Sequence, residues 1–127
     1  MEEELLTAFD QLLEKKGYNN RSEAIRDLIR RWLVEDRWEK GKGKVGILVI
    51  VYDHRKRELS TRILKQSHHH HHLIVSTLHI HLDKNNCLEV NVLRGRPSEL
   101  RRLSEALIAT RGVKYGRLVP APSGEEP

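Results

Sequence analysis

Residues 45–52 read VGILVIVY, a run rich in Val and Ile with no polar residue to mark a solvent side. β-Branched residues favour extended backbone, and a short, uniformly apolar run describes a strand buried on both faces. A chain holding such a strand must cover both sides of a sheet, with its own helices or with another molecule. The chain has 127 residues, of which 38% are hydrophobic. That is enough for one ordinary domain or two small ones, and two small ones would each bury too little apolar surface to stand alone. Oligomerisation is therefore expected.

Downstream of this run the periods alternate. Arg55 to Gln66 is polar, with Leu59, Ile63 and Leu64 at helical spacing. Beyond a run of histidines, Leu73 to Leu82 alternates over most of its length, and after the turn Asp83-Lys84-Asn85-Asn86 so does Cys87 to Leu93. Gly95-Arg96-Pro97-Ser98 opens a helix running to Thr110, with Leu100, Leu103, Leu107 and Ile108 inward. Gly112 ends it, and Val113 to Val119 forms a last strand. The order β-α-β-β-α-β predicts a ferredoxin-like domain over residues 45–119, with two helices on one sheet face and the other face open to a partner. Residues 120–127 (PAPSGEEP) are expected to be a disordered tail.

The first 36 residues read as two helices. Leu5, Leu6, Phe9, Leu12 and Leu13 recur at helical spacing, Lys15-Lys16 suit a helix C-terminus, and Gly17 is a stop. Asn20 is an N-cap with Glu23 three residues on, and Ala24, Ile25, Leu28, Ile29, Trp32 and Leu33 make the second stripe. The hairpin is too small to stand alone and suits half of an intertwined dimer, as in small DNA-binding modules. Residues 37–44 (RWEKGKGK) lose the apolar period, carry two glycines and are expected to be a linker. The fold class is α+β.

The formal charge of +5 favours anionic partners such as nucleic acid, though weakly. A single cysteine excludes an internal disulfide framework and suits a reducing cytosol. No apolar run reaches the length of a membrane helix, and the N-terminus, Met1-Glu2-Glu3-Glu4, is acidic where a signal peptide is basic. A cytoplasmic protein with no membrane partner is expected.

Parity along the central hairpin carries the chemistry. Leu78, Ile80 and Leu82 share one side of their strand, and Thr77, His79 and His81 the other. On the next strand Leu88, Val90 and Val92 alternate with Cys87, Glu89 and Asn91. With both apolar sets under the helices, His79, His81 and Cys87 fall together on the open face, His81 across from Cys87 and His79 across from Glu89. H-x-H on a strand also describes two solvated histidines, but imidazoles beside a thiolate make a late-transition-metal site: tetragonal coordination suits Ni(II) or Cu(II), tetrahedral Zn(II). Cys87 has no Gly-rich elbow or oxyanion device to make it a nucleophile. His68 to His72 could be read as a purification tag, but the run is internal and flanked by periodic sequence.

GYNNRSEAIRD (17–27), VYDHRKR (51–57), His68 to His71, TLHIH (77–81), NCLEV (86–90) and Arg111-Gly112-Val113 together resemble the nickel-responsive transcriptional regulators, ribbon-helix-helix repressors of the NikR type with an ACT-like metal-binding domain. The resemblance implies a homotetramer built as a dimer of dimers, with one Ni(II) per subunit in a square-planar site. His79, His81 and Cys87 match ligands of one subunit, and His68 the ligand supplied by another. Tyr52, His54 and Glu89 match groups that orient the ligands. Glu23 and Asp27, with the carbonyls of Ile108, Thr110 and Val113, match a weaker second site for K+ or another cation. The implied activity is binding of operator DNA and repression of nickel uptake genes when nickel is abundant.

In that family a short strand precedes the first helix and reads bases. Here Met1 already stands at the helix start, so weak operator binding is expected from the chain as given, with Asn20 and Arg21 left to contact phosphates. A nickel-buffering protein without specific DNA binding is the alternative. An enzyme is not expected, because four protein ligands leave no open metal position for substrate.

Overall fold

The structure is a computed structural model that describes residues 1–55 and 71–125. The first two elements are helices α1 (Glu3–Lys16) and α2 (Arg21–Glu39). Acidic Glu3 and Glu4 begin α1 and Lys15 and Lys16 end it, matching the helix dipole at both ends. Gly17 takes φ 81°, which returns its own N–H to the Glu14 carbonyl at 3.1 Å and that of Tyr18 to Leu13 at 3.0 Å. Asn20 caps α2 as expected, its Oδ1 accepting from the Glu23 N–H at 3.0 Å. Across the turn, the Arg21 guanidinium grips Asp10 through two bonds of 2.8 and 2.7 Å, and the Tyr18 hydroxyl donates to Asp27 at 2.6 Å.

Within this hairpin Leu13 and Ala24 are buried, whereas Leu5, Leu12, Ile25, Leu28 and Ile29 are exposed and Trp32 is 70% exposed. The stripes read from the sequence thus form an apolar surface that the chain itself does not cover, as a dimerising hairpin requires.

The first part of the expected linker over residues 37–44 is helical. Helix α2 continues through Glu39, and Trp38 is 2% exposed in the same core as Leu48, Ile50, Leu93, Leu100, Leu103 and Leu107. The indole fits because Gly43 and Gly46 lie against it; a Cβ at Gly43 would stand 2.3 Å from Trp38 Cδ1. Arg101 lies over its ring at 5.8 Å. Charge and glycine content signal a loop, but one large apolar side chain was enough to pull the helix end into the core.

The second domain has strands β1 (Val45–Asp53), β2 (Ile74–His81), β3 (Asn86–Arg94) and β4 (Val113–Ala121), with helix α3 (Pro97–Ile108) before β4 and a single 3-10 turn at His71–Leu73. The helix expected over 55–66, and His68 to His70, lie outside the described residues beyond Arg55. The sheet order is β2-β3-β1-β4 with every pair antiparallel, the ferredoxin-like arrangement. Pro97 starts α3 at the position that has no N–H to lose, and Glu99 reaches back to the Arg96 N–H. Leu100, Leu103 and Leu107 then face Leu48 and Ile50 of β1.

Strand β4 runs to Ala121, past the expected limit of 119, because Pro120 and Ala121 lie opposite Gly46 and Val45 on β1. The first two residues of the expected disordered tail, Pro120 and Ala121, are therefore paired. Proline is tolerated there because β4 is an edge strand, where its missing N–H costs no ladder bond.

The face assignment is also corrected. In β1 the deeply buried residues are Leu48, Ile50 and Tyr52, which lie opposite Asn91, Glu89 and Cys87 of β3. Residues directly opposite share a face. Cys87, Glu89 and Asn91, with Thr77, His79 and His81 of β2, thus lie on the helix side of the sheet. Leu78, Ile80 and Val119 lie on the other side and are 40–58% exposed, with Leu88, Val90 and Val92 half-buried between them. Alternation identifies an apolar face that needs cover; it does not say that the cover comes from the same chain.

Gly116 tests the α3 contact. A Cβ there would stand 2.4 Å from Ile108 Cγ1, and a β-branched side chain cannot swing aside freely. Gly116→Ala is expected to cost about 1–3 kcal/mol in urea unfolding. An unchanged midpoint would mean α3 is not seated on β4.

Candidate metal centre

Three strand ends meet at one edge of the helix-side face: the C-terminal end of β1, that of β2, and the beginning of β3. The register sets His81 opposite Cys87, Cys87 opposite Tyr52, and His79 opposite Glu89. The pairing expected from parity is therefore present, on the other side of the sheet. Cys87 Sγ lies 3.4 Å from His81 Nδ1. His54, just past β1, joins them, and the ligand atoms of His54, His81 and Cys87 all lie within 4.8 Å of one another. The His54 ring meets that of His81 edge-on, 5.7 Å between centroids. His79 sits beside His81 at 5.2 Å, and its Nε2 is 3.2 Å from the Tyr52 hydroxyl.

Sequence reasoning placed His54 among the supporting groups and His79 among the ligands. Among the described residues, His54 stands in the tight cluster while His79 is engaged by Tyr52. His68, expected from another subunit, lies outside the described residues.

Local structure explains the position of His54. Its N–H donates to the Asn85 carbonyl at 2.9 Å, and that of Asp53 to Gly112 at 3.0 Å. The Asp53 carboxylate accepts from the backbone and guanidinium of Arg55 at 2.8–3.0 Å, which holds it far below the usual carboxylate range. On the far side Asp83 accepts from the backbone of Asn85 and Asn86, fixing the β2–β3 turn. The sequence reading missed Asp53. Its signal was an acidic residue directly before the histidine, two positions from an arginine.

The electrostatics favour a cation. Burial pushes the Cys87 thiol up, and the negative charges of Glu89 and Asp83 push it further. Cys87 is fully buried, so its thiolate needs a positive partner in place of water. Burial, then Glu89 and Cys87, raise Tyr52 to about 12, so the phenol keeps its proton. If its oxygen accepts from Nε2–H of His79, the Nδ1 lone pair of that ring is left for a ligand.

The donor set fits a late transition metal. His54 Nδ1 is buried with no hydrogen-bond partner, a cost that coordination would remove. Donors about 2.0 and 2.3 Å from one ion lie roughly 3–3.5 Å apart, the spacing found between His81 and Cys87. A thiolate with imidazoles selects against Mg and Ca.

Several residues of the other expected sites make hydrogen bonds within the chain. Asp27 holds the Tyr18 hydroxyl, and the Thr110 carbonyl accepts from the Val113 N–H at 3.1 Å. Glu23 lies in the first turn of α2, while Ile108, Thr110 and Val113 surround the α3–β4 turn. Asn20 caps α2 and Arg21 is bound to Asp10, so both already hold the hairpin together. No helix among the described residues is long and apolar enough to cross a membrane.

Comparison with known proteins agrees with this architecture. Residues 45–121 match the family described as NikR C terminal nickel binding domain, and residues 1–36 match the ribbon-helix-helix protein, copG family. A protein of Geobacter sulfurreducens named "Putative nickel-responsive regulator" is 52% identical over 127 residues, covering 99% of this chain and 91% of the relative. Relatives of the same name from Desulfovibrio desulfuricans and Caldanaerobacter subterraneus subsp. tengcongensis are 51% and 46% identical, covering 99% and 98% of this chain and 91% and 82% of their own. A solved structure, that of uncharacterized protein TM1266 from Thermotoga maritima, superposes with a TM-score of 0.57 at 21% identity, over 62% of this chain and 98% of that one; it shares the fold. With a ribbon-helix-helix hairpin, a nickel-binding domain and these relatives, the chain belongs to the nickel-responsive regulator family.

Proposed function

We propose that this protein binds Ni(II), one ion per subunit, through His79, His81 and Cys87 with His68 of another subunit, and in that state represses nickel uptake genes as a DNA-binding homotetramer in the cytoplasm. The observation that carries this reading is the Cys87–His81 contact of 3.4 Å beside the orphaned His54 nitrogen.

His79, His81 and Cys87, with His68 of another subunit, would hold the nickel, which would supply the positive charge that the buried Cys87 thiolate needs. The chain's own residues do the rest. Tyr52 fixes the His79 ring, and Asp53 with Arg55 holds the β1 end that carries His54. Leu78, Ile80 and their neighbours on the uncovered sheet face suit contact between subunits. The site is divided between chains, so occupancy favours the assembly that completes it, by mass action. Trp38 joins α2 to the same core, so that assembly bears on the spacing of the DNA-binding hairpins. We propose Glu23 and Asp27, with the carbonyls of Ile108, Thr110 and Val113, as a weaker cation site formed when the two domains close together, and Asn20 and Arg21 as phosphate contacts once Arg21 exchanges Asp10 for DNA.

The test is electrophoretic mobility shift on uptake-gene promoter DNA with and without stoichiometric nickel. Retardation that ignores nickel would sink the regulatory reading. The ligand set has its own test. His79→Ala is expected to lower nickel affinity by more than about 100-fold, and His54→Ala by about 10- to 100-fold, the range for groups that orient ligands. Both are read by competition with a chromophoric chelator. The reverse order would make His54 the ligand and His79 its support.

A further inference from the structure

Between the end of α2 and the start of α3, the loop at residues 40–44 runs beside the end of β3. The Gly95 N–H donates to Lys44 at 2.9 Å, and that of Lys42 to Arg37 at 2.8 Å. The crevice they enclose has a volume of about 750 Å³ and is lined by Arg37, Lys42, Lys44, Arg94 and Arg96. Two carboxylates reach the same space, each already on a cation: Glu99 accepts from Arg96 at 3.0 Å, and Glu125 from Lys44 at 2.8 Å. Lys42 and Arg94 make no side-chain ion pair or hydrogen bond among the described residues. Among the described residues, Lys42 and Arg94 thus add positive charge beyond the cations that the two carboxylates hold, and like charges gathered in one concavity attract counter-ions.

We propose that this crevice is a site for a compact oligophosphate, such as pyrophosphate or the phosphate chain of a nucleotide, and that Glu125 near the C-terminus competes for it from within the chain. The crevice is of small-molecule size. Guanidinium groups present paired donors to phosphate oxygens, and lysines add point charges. The Lys44–Glu125 pair is half-exposed at both ends, and such pairs are weak enough to be displaced. Glu125 shows that an anionic oxygen fits the space. The site is independent of nickel and does not rest on the proposed regulation.

The test is isothermal titration of pyrophosphate into the full metal-free chain, so that chelation of nickel plays no part. Lys42 and Arg94 are exposed, so the fold should tolerate Lys42→Glu with Arg94→Glu. That double variant is expected to bind pyrophosphate at least about tenfold more weakly. Glu125→Gln is expected to bind it about threefold more tightly at low salt. Equal affinity in wild type and double variant would assign the heat to other cations, such as the histidine run, and overturn the proposal. So would an absence of pyrophosphate binding together with non-specific duplex binding that the double variant loses, which would make the crevice a DNA contact.

Discussion

Cys87→Ala is expected to lower nickel affinity by more than about 100-fold, beyond the loss caused by removing a group that only orients a ligand. It should also abolish the thiolate-to-nickel absorption band. Sulfur is the one soft donor of the set, and without it the site is a group of imidazoles with little to separate nickel from zinc. The sulfur is fully buried in the hydrophobic core, so the substitution also leaves a small void, costing on the order of 1 kcal/mol. Circular dichroism and thermal unfolding of the metal-free variant separate that cost from loss of the ligand. A nickel band surviving in folded Cys87→Ala would sink the assignment. The same burial sets a pH dependence in the wild type. With the thiol pushed up by burial, Glu89 and Asp83, the metal-free protein holds that proton at neutral pH and nickel must displace it. Below the thiol's raised pKa, affinity is therefore expected to rise with pH by about tenfold per unit for that proton. Calorimetry in buffers of different ionisation enthalpy counts the protons released.

Trp38→Ala is expected to destabilise the protein by about 3–5 kcal/mol, the cost of truncating a buried aromatic side chain. For a chain of this size that lowers the melting temperature by roughly 10–20 °C. The indole is 2% exposed, packed against Gly43 and Gly46 and under Arg101. The two glycines against it have no side chains to move into the space. Trp38→Phe should recover much of the loss. Trp32→Ala makes a control on the same helix. Trp32 is 70% exposed within one chain, so its removal should act on association of the hairpins and make melting more dependent on protein concentration. If the two tryptophans behave alike, α2 does not end inside the second domain. Loss of Trp38 should also weaken the effect of nickel on DNA binding, since α2 would then be tied to the sheet by less than a full core contact.

The sequence by itself determined the order of the elements among the described residues. Lys15-Lys16-Gly17, Asn20 and Pro97 mark helix ends by local chemistry that needs no tertiary context, and each stands where that chemistry put it. Strict alternation also set the pairing of His81 with Cys87 and of His79 with Glu89, because a slip of one residue would mix the polar and apolar sets. Only the tertiary structure decided which side of the sheet those residues take. β1 is apolar on both sides and carries no mark of direction, and Leu78, Ile80, Val90 and Val92 look the same whether a helix or another subunit covers them. The position of His54 depends on Asn85, Asp53 and Gly112, which are distant in the chain or silent in a periodic pattern. Trp38 is the same case: its burial is decided by two glycines that leave room for it, and available space is a property of the packed molecule, not of any segment.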